Sequence, residues 1–168
     1  MILGLDASTQ TCGWAFSQSV FIIKDAGFID ISKFETNKEK GKFISNFFSK
    51  HPLFSSVNHI NLEAALSGFS GGFSSQQVII KLSRFNAVLE YILSEELKIP
   101  INLINVNTAR KKVLGMARIK GLSGKELVKQ ELPKIIPNLS RFDVLNKKGN
   151  IDKRIEDIRD SIIMSLYD

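Results

Sequence analysis

Cysteine and histidine are nearly missing from this chain: Cys12 is the one thiol, and His51 and His59 are the only imidazoles, in 168 residues. No disulfide can close within the chain and no thiolate zinc cluster can form, which fits a reducing compartment. A histidine-rich metal site is excluded on the same ground. Long apolar runs are lacking too. None approaches the roughly 20 residues that a membrane-spanning helix needs, so no membrane role is expected. The start MILGLDAS has neither a basic leader nor a small-residue cleavage site, so no signal peptide is predicted. There are no repeats, no low-complexity tail and no linker-like stretch, and 168 residues suffice for one sizeable core. A single domain over 1–168 is expected.

What is present is an ordinary globular balance, 43% hydrophobic and 24% charged, with an uneven charge distribution. Between Asn105 and Arg154 there are 13 Lys and Arg against 4 Asp and Glu, so this stretch carries +9 of the overall +6 and the remainder is about −3. A basic segment of that density is the electrostatic footprint expected for a polyanion, most simply a nucleic-acid backbone. A well-solvated lysine-rich surface has the same composition.

Residues 2–6 and 12–18 alternate as two strands joined by a turn at Ala7 to Thr11. A third strand-like stretch spans 20–32 and is interrupted near Asp25 to Gly27; the short connections predict an antiparallel meander. Residues 37–50 follow helical spacing with Phe43, Phe47 and Phe48 on one side, and His51-Pro52 ends them. A fourth strand at 57–63 precedes a Gly/Ser loop, 64–75. A long helix over 75–97 carries Val78, Leu82, Phe85, Leu89 and Ile92 at helical intervals. A fifth strand at 101–106 leads to a short basic helix, N-capped by Asn107 or Thr108 and ending near Gly115. Ser123 and Glu126 form a capping-box pattern for the next helix. The last helix is predicted over 151–167. The α/β fold class that follows is a mixed five-stranded sheet, an antiparallel meander of strands 1–3 and then strands 4 and 5, with helices on both faces. Trp14 reads as core and Arg84 as structural.

Two strands in this plan end on carboxylates, Asp6 and Glu63. A lone Asp before Ala-Ser-Thr is commonly turn chemistry; a Glu closing the apolar run VNHINLE is harder to explain that way. On the last helix, Ile151, Ile155, Ile158, Ile162 and Leu166 form an apolar stripe. Asp157 and Asp160 are three apart, hence on a common side, which continues as Met164 and Tyr167. That side is acidic at one end and apolar at the other, as if the helix lay over a core edge with its acids at a cleft; solvated helix acids are the alternative. If Asp6, Glu63, Asp157 and Asp160 converge, their mutual repulsion calls for a cation among them. Four hard oxygen ligands favour Mg2+ or Mn2+ over zinc. Two such ions about 4 Å apart activate water and stabilise the leaving oxygen in phosphodiester hydrolysis, with no protein nucleophile needed.

The order of these segments resembles the RuvC branch of the ribonuclease H-like nucleases, the Holliday junction resolvases. ILGLDASTQTCGWA is similar to the first hairpin of that family, INLEAALSGF to its fourth strand with Glu and a following aromatic, NTARKKVLG and GLSGKELVK to its basic region, and DIRDSIIMS to its terminal acidic pair. The resemblance implies that Asp6, Glu63, Asp157 and Asp160 are the catalytic and metal-binding set for two Mg2+ ions, with Mn2+ able to substitute. It implies basic residues near the scissile phosphate at Arg110 and Lys125. It also implies a homodimer built on the long helix, although the stripe on that helix serves equally as intramolecular core. Four-way junctions and other branched DNA are the implied substrates, cut by paired symmetric nicks in the cytoplasm. Ala7-Ser8-Thr9 stands where bacterial members carry Pro and Gly, and the loop after Glu63 is longer, which points to a divergent, phage-type branch.

Phe69 and Phe73, in the Gly/Ser loop, are expected to stack on or wedge between bases at an opened junction centre; plugging the core or a subunit interface is the competing role. Arg110, Lys111, Lys112, Arg118, Lys120 and Lys125 are the expected phosphate contacts. Three other functions use the same residues: a ribonuclease H on RNA–DNA hybrids, a junction-binding protein that does not cut, and a RuvC-like nuclease of structured RNA. The turn DASTQT also resembles the phosphate turn of actin-like sugar kinases, which need a second such domain and a longer chain.

Overall fold

A computed structural model of the chain describes residues 1–19, 21–65 and 73–168. Its strands are β1 (Ile2–Ala7), β2 (Thr11–Ser19), β3 (Ile22–Asp30), β4 (His59–Glu63) and β5 (Ile101–Ile104), and its α-helices α1 (Asn37–Ser49), α2 (Phe73–Leu97), α3 (Val106–Leu114), α4 (Gly124–Ile135) and α5 (Ile155–Ser165). The strands form one sheet in the order β3-β2-β1-β4-β5. β1, β2 and β3 are the expected antiparallel meander, and β4 joins β1 and β5 joins β4 in parallel. The parallel connections need long crossovers, which α1 and α2 supply.

Side chains alternate across a strand, so each strand feeds two cores. Leu3, Leu5, Cys12, Trp14, Phe16, Ile60 and Leu62 point to one face and pack with Ile44 and Phe48 of α1 and Phe85, Leu89 and Leu93 of α2. Trp14 sits there at 7% exposure, its ring centroid 5.7 Å from those of Phe16 and Phe47. The opposite core is built by Val106 and Ala109 of α3, Val128 and Leu132 of α4, and Ile155, Ile158, Ile162 and Ile163 of α5.

Several boundaries differ from the sequence reading for local reasons. β3 runs unbroken through 25–27, because Gly27 leaves room for the Trp14 ring, whose Cζ2 would lie 2.8 Å from an added Cβ. α3 is capped by Asn105, whose side chain accepts from Asn107 N and Thr108 N, so the fifth strand ends earlier. α3 does stop at Gly115, in the left-handed region with φ 76°. Ser123 and Glu126 form the expected capping box. α5 begins at Ile155 because Ile151 instead bridges Leu145 in extended conformation, and Asp152 accepts from the backbone and guanidinium of Arg154. Ile151 is therefore 56% exposed and leaves the predicted stripe. Val78 is also exposed, since the 13 residues of α1 cover little more than half the length of the 25-residue α2. Arg84 is exposed on α2 rather than holding the structure together. No helix among the described residues is long and apolar enough to cross a membrane.

Candidate functional site

On the face of the sheet turned to α5, β3 and β5 contribute apolar Ile23, Phe28 and Ile104, whereas the strands between them present small or polar residues. These are Gly4 and Asp6 on β1, Thr11, Gly13, Ala15 and Ser17 on β2, and Asn61 and Glu63 on β4. Glycine is required at two of them. A methyl group at Gly4 would overlap the Ser161 carbonyl and the Ser165 amide, and one at Gly13 would overlap the Asp157 carbonyl. The backbone of α5 thus lies directly on β1 and β2. Its C-terminal end is tied by Asn61, whose amide donates to Met164 O (3.0 Å) and Tyr167 O (2.6 Å), and by the hydroxyl of Ser17, which donates to Ser165 O.

This docking sets where the acids go. Asp6 pairs with Gly13 in the β1–β2 ladder, and Gly13 underlies Asp157, so Asp157 comes to the end of β1. In the parallel β1–β4 register Leu5 stands opposite Leu62, which places Glu63 beside Asp6 one step further on. Asn86 of α2 donates to the Glu63 carbonyl (2.9 Å) and holds that strand end. Asp160, one turn along α5 from Asp157, is buried at 5% exposure. Asp6, Glu63, Asp157 and Asp160, scattered over the sequence, are thereby brought to one place.

The electrostatics carry the mark of that convergence. Burial, then the charges of Glu63 and Asp160, push the Asp6 carboxyl well above its usual range, and a side-chain hydrogen bond links it to Glu63. Burial likewise raises Glu63, offset by the bond to Asp6 and by Arg110. Burial raises Asp160 against the opposing pull of Arg110. Cys12, inert and fully buried, is pushed up by burial and by the charges of Asp6 and Asp157. Carboxyls pushed up together by burial and by one another's charge make a site that favours a bound cation.

The donor chemistry fits a hard divalent ion, with four carboxylates and no sulfur or imidazole among them. The cage is not preformed: among the described residues no three His, Cys, Asp or Glu side chains already stand in position to hold an ion. The side chains are engaged elsewhere. Thr11 Oγ1 donates to Asp157 Oδ2 (2.6 Å) and Arg110 Nη2 donates to Asp160 Oδ1 (2.8 Å). The two acids of α5 open onto cavities of about 520 and 640 Å3, the first lined by Asp160 and the second by Asp157, with Lys125 and Glu156 lining both; Asp6 and Glu63 line neither.

The basic residues divide into three groups. Arg110, expected to contact phosphate, is 8% exposed and faces inward, because its place on α3 points it at α5. Lys125 reaches the rim but is bridged to Glu156 (2.7 Å), a bond that holds its amine above the ordinary lysine range. Lys111, Lys112, Arg118 and Lys120 are exposed along the end of α3 and the segment before α4, with Lys112 Nζ lying 4.7 Å from the Tyr167 ring centroid. Phe69 lies outside the described residues; Phe73 begins α2, and its side chain lies outside them as well.

Sequence reasoning missed Thr11, Gly13, Asn61 and the inward turn of Arg110. A glycine inside the apolar strand TCGWAF was the available signal, since such a glycine marks a close backbone approach.

No family model matches the sequence, and no curated protein matches it. Solved structures do. RuvC of Thermus thermophilus in complex with a Holliday junction substrate superposes with a TM-score of 0.63 at 12% identity, covering 99% of this chain and 90% of that one. A second Thermus thermophilus RuvC structure gives 0.59 at 11% identity over 99% and 91%. The yeast mitochondrial Holliday junction resolvase Ydc2 gives 0.55 at 16% identity over 98% and 75%. At these identities the likeness is one of fold: the mixed five-stranded sheet with helices on both faces is the ribonuclease H-like fold of RuvC.

Proposed function

We propose that this chain is a metal-dependent endonuclease that resolves four-way DNA junctions. One observation carries the reading: Asp6 and Glu63 from adjacent strand ends meet Asp157 and Asp160 from α5 in one self-repelling pocket, on a fold shared with junction resolvases. Asp6, Glu63, Asp157 and Asp160 would hold two divalent cations, Mg2+ with Mn2+ able to substitute. Bound there, the ions supply Lewis-acid activation of a water and stabilisation of the leaving oxygen of a phosphodiester.

The protein contributes position and charge. Asp6 and Glu63 supply carboxylate oxygens from adjacent strand ends, and Thr11 keeps one oxygen of Asp157 aimed. Lys111, Lys112, Arg118 and Lys120 hold the backbone of the scissile strand, so binding falls steeply with salt. Phe69 and Phe73 stack on unpaired bases at the junction centre. The stretch 1–168 acts as one nuclease domain in the cytoplasm, and two copies pair to nick strands of like polarity. Ile80, Arg84, Ala87 and Tyr91, all exposed, share one side of α2 and support that helix as the contact.

A synthetic four-way junction, incubated with wild type and with Asp6→Asn, with and without Mg2+, tests the proposal. Paired, symmetric nicks that need Mg2+ and vanish in the variant are expected. An intact junction under every condition points to a binding protein, and faster cutting of an RNA–DNA hybrid than of the junction points to a ribonuclease H.

A further inference from the structure

The contact between Arg110 and Asp160 has a geometry that a phosphate-binding arginine does not need. Arg110 leaves α3, and its guanidinium passes the first residue of α4 before it reaches α5. A Cβ at Gly124 would overlap Arg110 Nη1 and lie 3.0 Å from Cζ, so the guanidinium fills the space that any other residue at 124 would occupy. Nη2 meets Asp160 Oδ1 at 2.8 Å, with the two side chains 9% and 7% exposed. Nε is buried and has no hydrogen-bond partner. Among the described residues Asp160 is bonded through Oδ1 alone. A buried guanidinium that leaves a donor unsatisfied is held for its charge, since packing alone would be served better by an apolar side chain.

We infer that Arg110 is the resident countercharge of the acidic pocket: it neutralises Asp160 through one oxygen, joins α3, α4 and α5 at one point, and does for the metal-free protein what a divalent ion does once bound. This rests on the metal-dependent reading above and adds a positioning role for Arg110 and Gly124. Lys125, the other cation near Asp160, is already bridged to Glu156 at the rim and cannot replace Arg110 without breaking that bond.

Thermal unfolding of wild type, Arg110→Met, Arg110→Lys and Gly124→Ala, each in EDTA and in MgCl2, provides the test. In EDTA, Arg110→Met is expected to lower Tm by about 10 °C, because a buried carboxylate loses its partner. Mg2+ should restore at least about half of that fall, a larger rise than in wild type. Lysine should recover part of the metal-free loss although methionine packs as well, since lysine alone keeps the charge. Gly124→Ala should destabilise by pushing the guanidinium off Asp160, and its cost should disappear in the Arg110→Met background. If Arg110→Met does not fold, the lysine and Gly124→Ala variants carry the test. A Mg2+-induced rise of equal size in wild type and Arg110→Met overturns the inference alone. No Mg2+ response in any variant overturns it together with the metal-dependent reading. Lysine no better than methionine in EDTA also overturns it.

Discussion

The two faces of one sheet are built from alternate residues of the same strands, yet they obey opposite rules. Toward α1 and α2, β1 and β2 present Leu3, Leu5, Cys12, Trp14 and Phe16, a densely aromatic and aliphatic core that fixes the sheet. Toward α5 the same strands present Gly4, Asp6, Thr11, Gly13, Ala15 and Ser17. Apolar bulk keeps α1 at a distance set by side chains; its absence lets α5 lie on the strand backbone. The first face provides stability. The second gives some of it up in order to press Asp157 and Asp160 against Asp6 and Glu63.

The sharpest way to break that contrast is Asp6→Asn. Nicking should be lost altogether, while Tm in EDTA at mildly alkaline pH should rise, because one member of the repelling set is neutralised. A loss of stability along with activity would mean that Asp6 is a structural acid. Next in size, Gly13→Ala should lower nicking by about 100-fold, since its methyl displaces Asp157 and small misplacements of reacting groups cost that much. Full activity there would remove the argument from backbone contact.

On the opposite face, Leu5→Ala should cost about 2–5 kcal/mol by chemical denaturation and leave nicking per folded molecule unchanged. If it instead abolished nicking in the folded fraction, the two faces would not be separable. Thr11→Val, which removes the bond to Asp157 but keeps the shape, should weaken divalent-ion affinity by about 10-fold, measured by calorimetry.

The pH dependence should differ by face as well. Asp6, Glu63 and Asp160 have folded-state values raised above the unfolded ones, so the folded state keeps protons that the unfolded chain has lost. Their contribution is fully present below the unfolded carboxyl value of about 4 and is lost as pH rises through the raised folded values. Denaturant melts across that range should show metal-free stability falling with pH, and saturating Mg2+ should flatten the fall. A stability that climbs over the same window would contradict the repelling cluster.

The apolar face was readable from the sequence, because period-2 alternation and long side chains announce themselves. The antiparallel meander and the mixed character of the sheet followed from it; the place of β4 beside β1 did not, because no local pattern names a strand's partner. Asp6 and Glu63 were legible as strand-end acids, and Asp157 with Asp160 as a pair on a packed helix. Less legible was anything decided by a side chain's partner. Arg110 lies among lysines in NTARKKVLG and looks solvent-bound like them; only its position on α3, across from α5, turns it inward. The start of α5 was misplaced because Ile151 satisfies helical spacing equally well, while the Asp152–Arg154 pair and the bridge to Leu145 hold it extended. Local pattern sees periodicity; it does not see which of two compatible partners a residue finds.

The central claim, that the α5 face gathers four acids into a pocket for divalent cations, is tested most directly by Mn2+ titration followed by electron paramagnetic resonance. Wild type should take up Mn2+ with the broadened spectrum of two neighbouring ions, and Asp6→Asn and Glu63→Gln should lose that signal while remaining folded. Equal Mn2+ uptake by wild type and both variants, or none by wild type, would contradict the account.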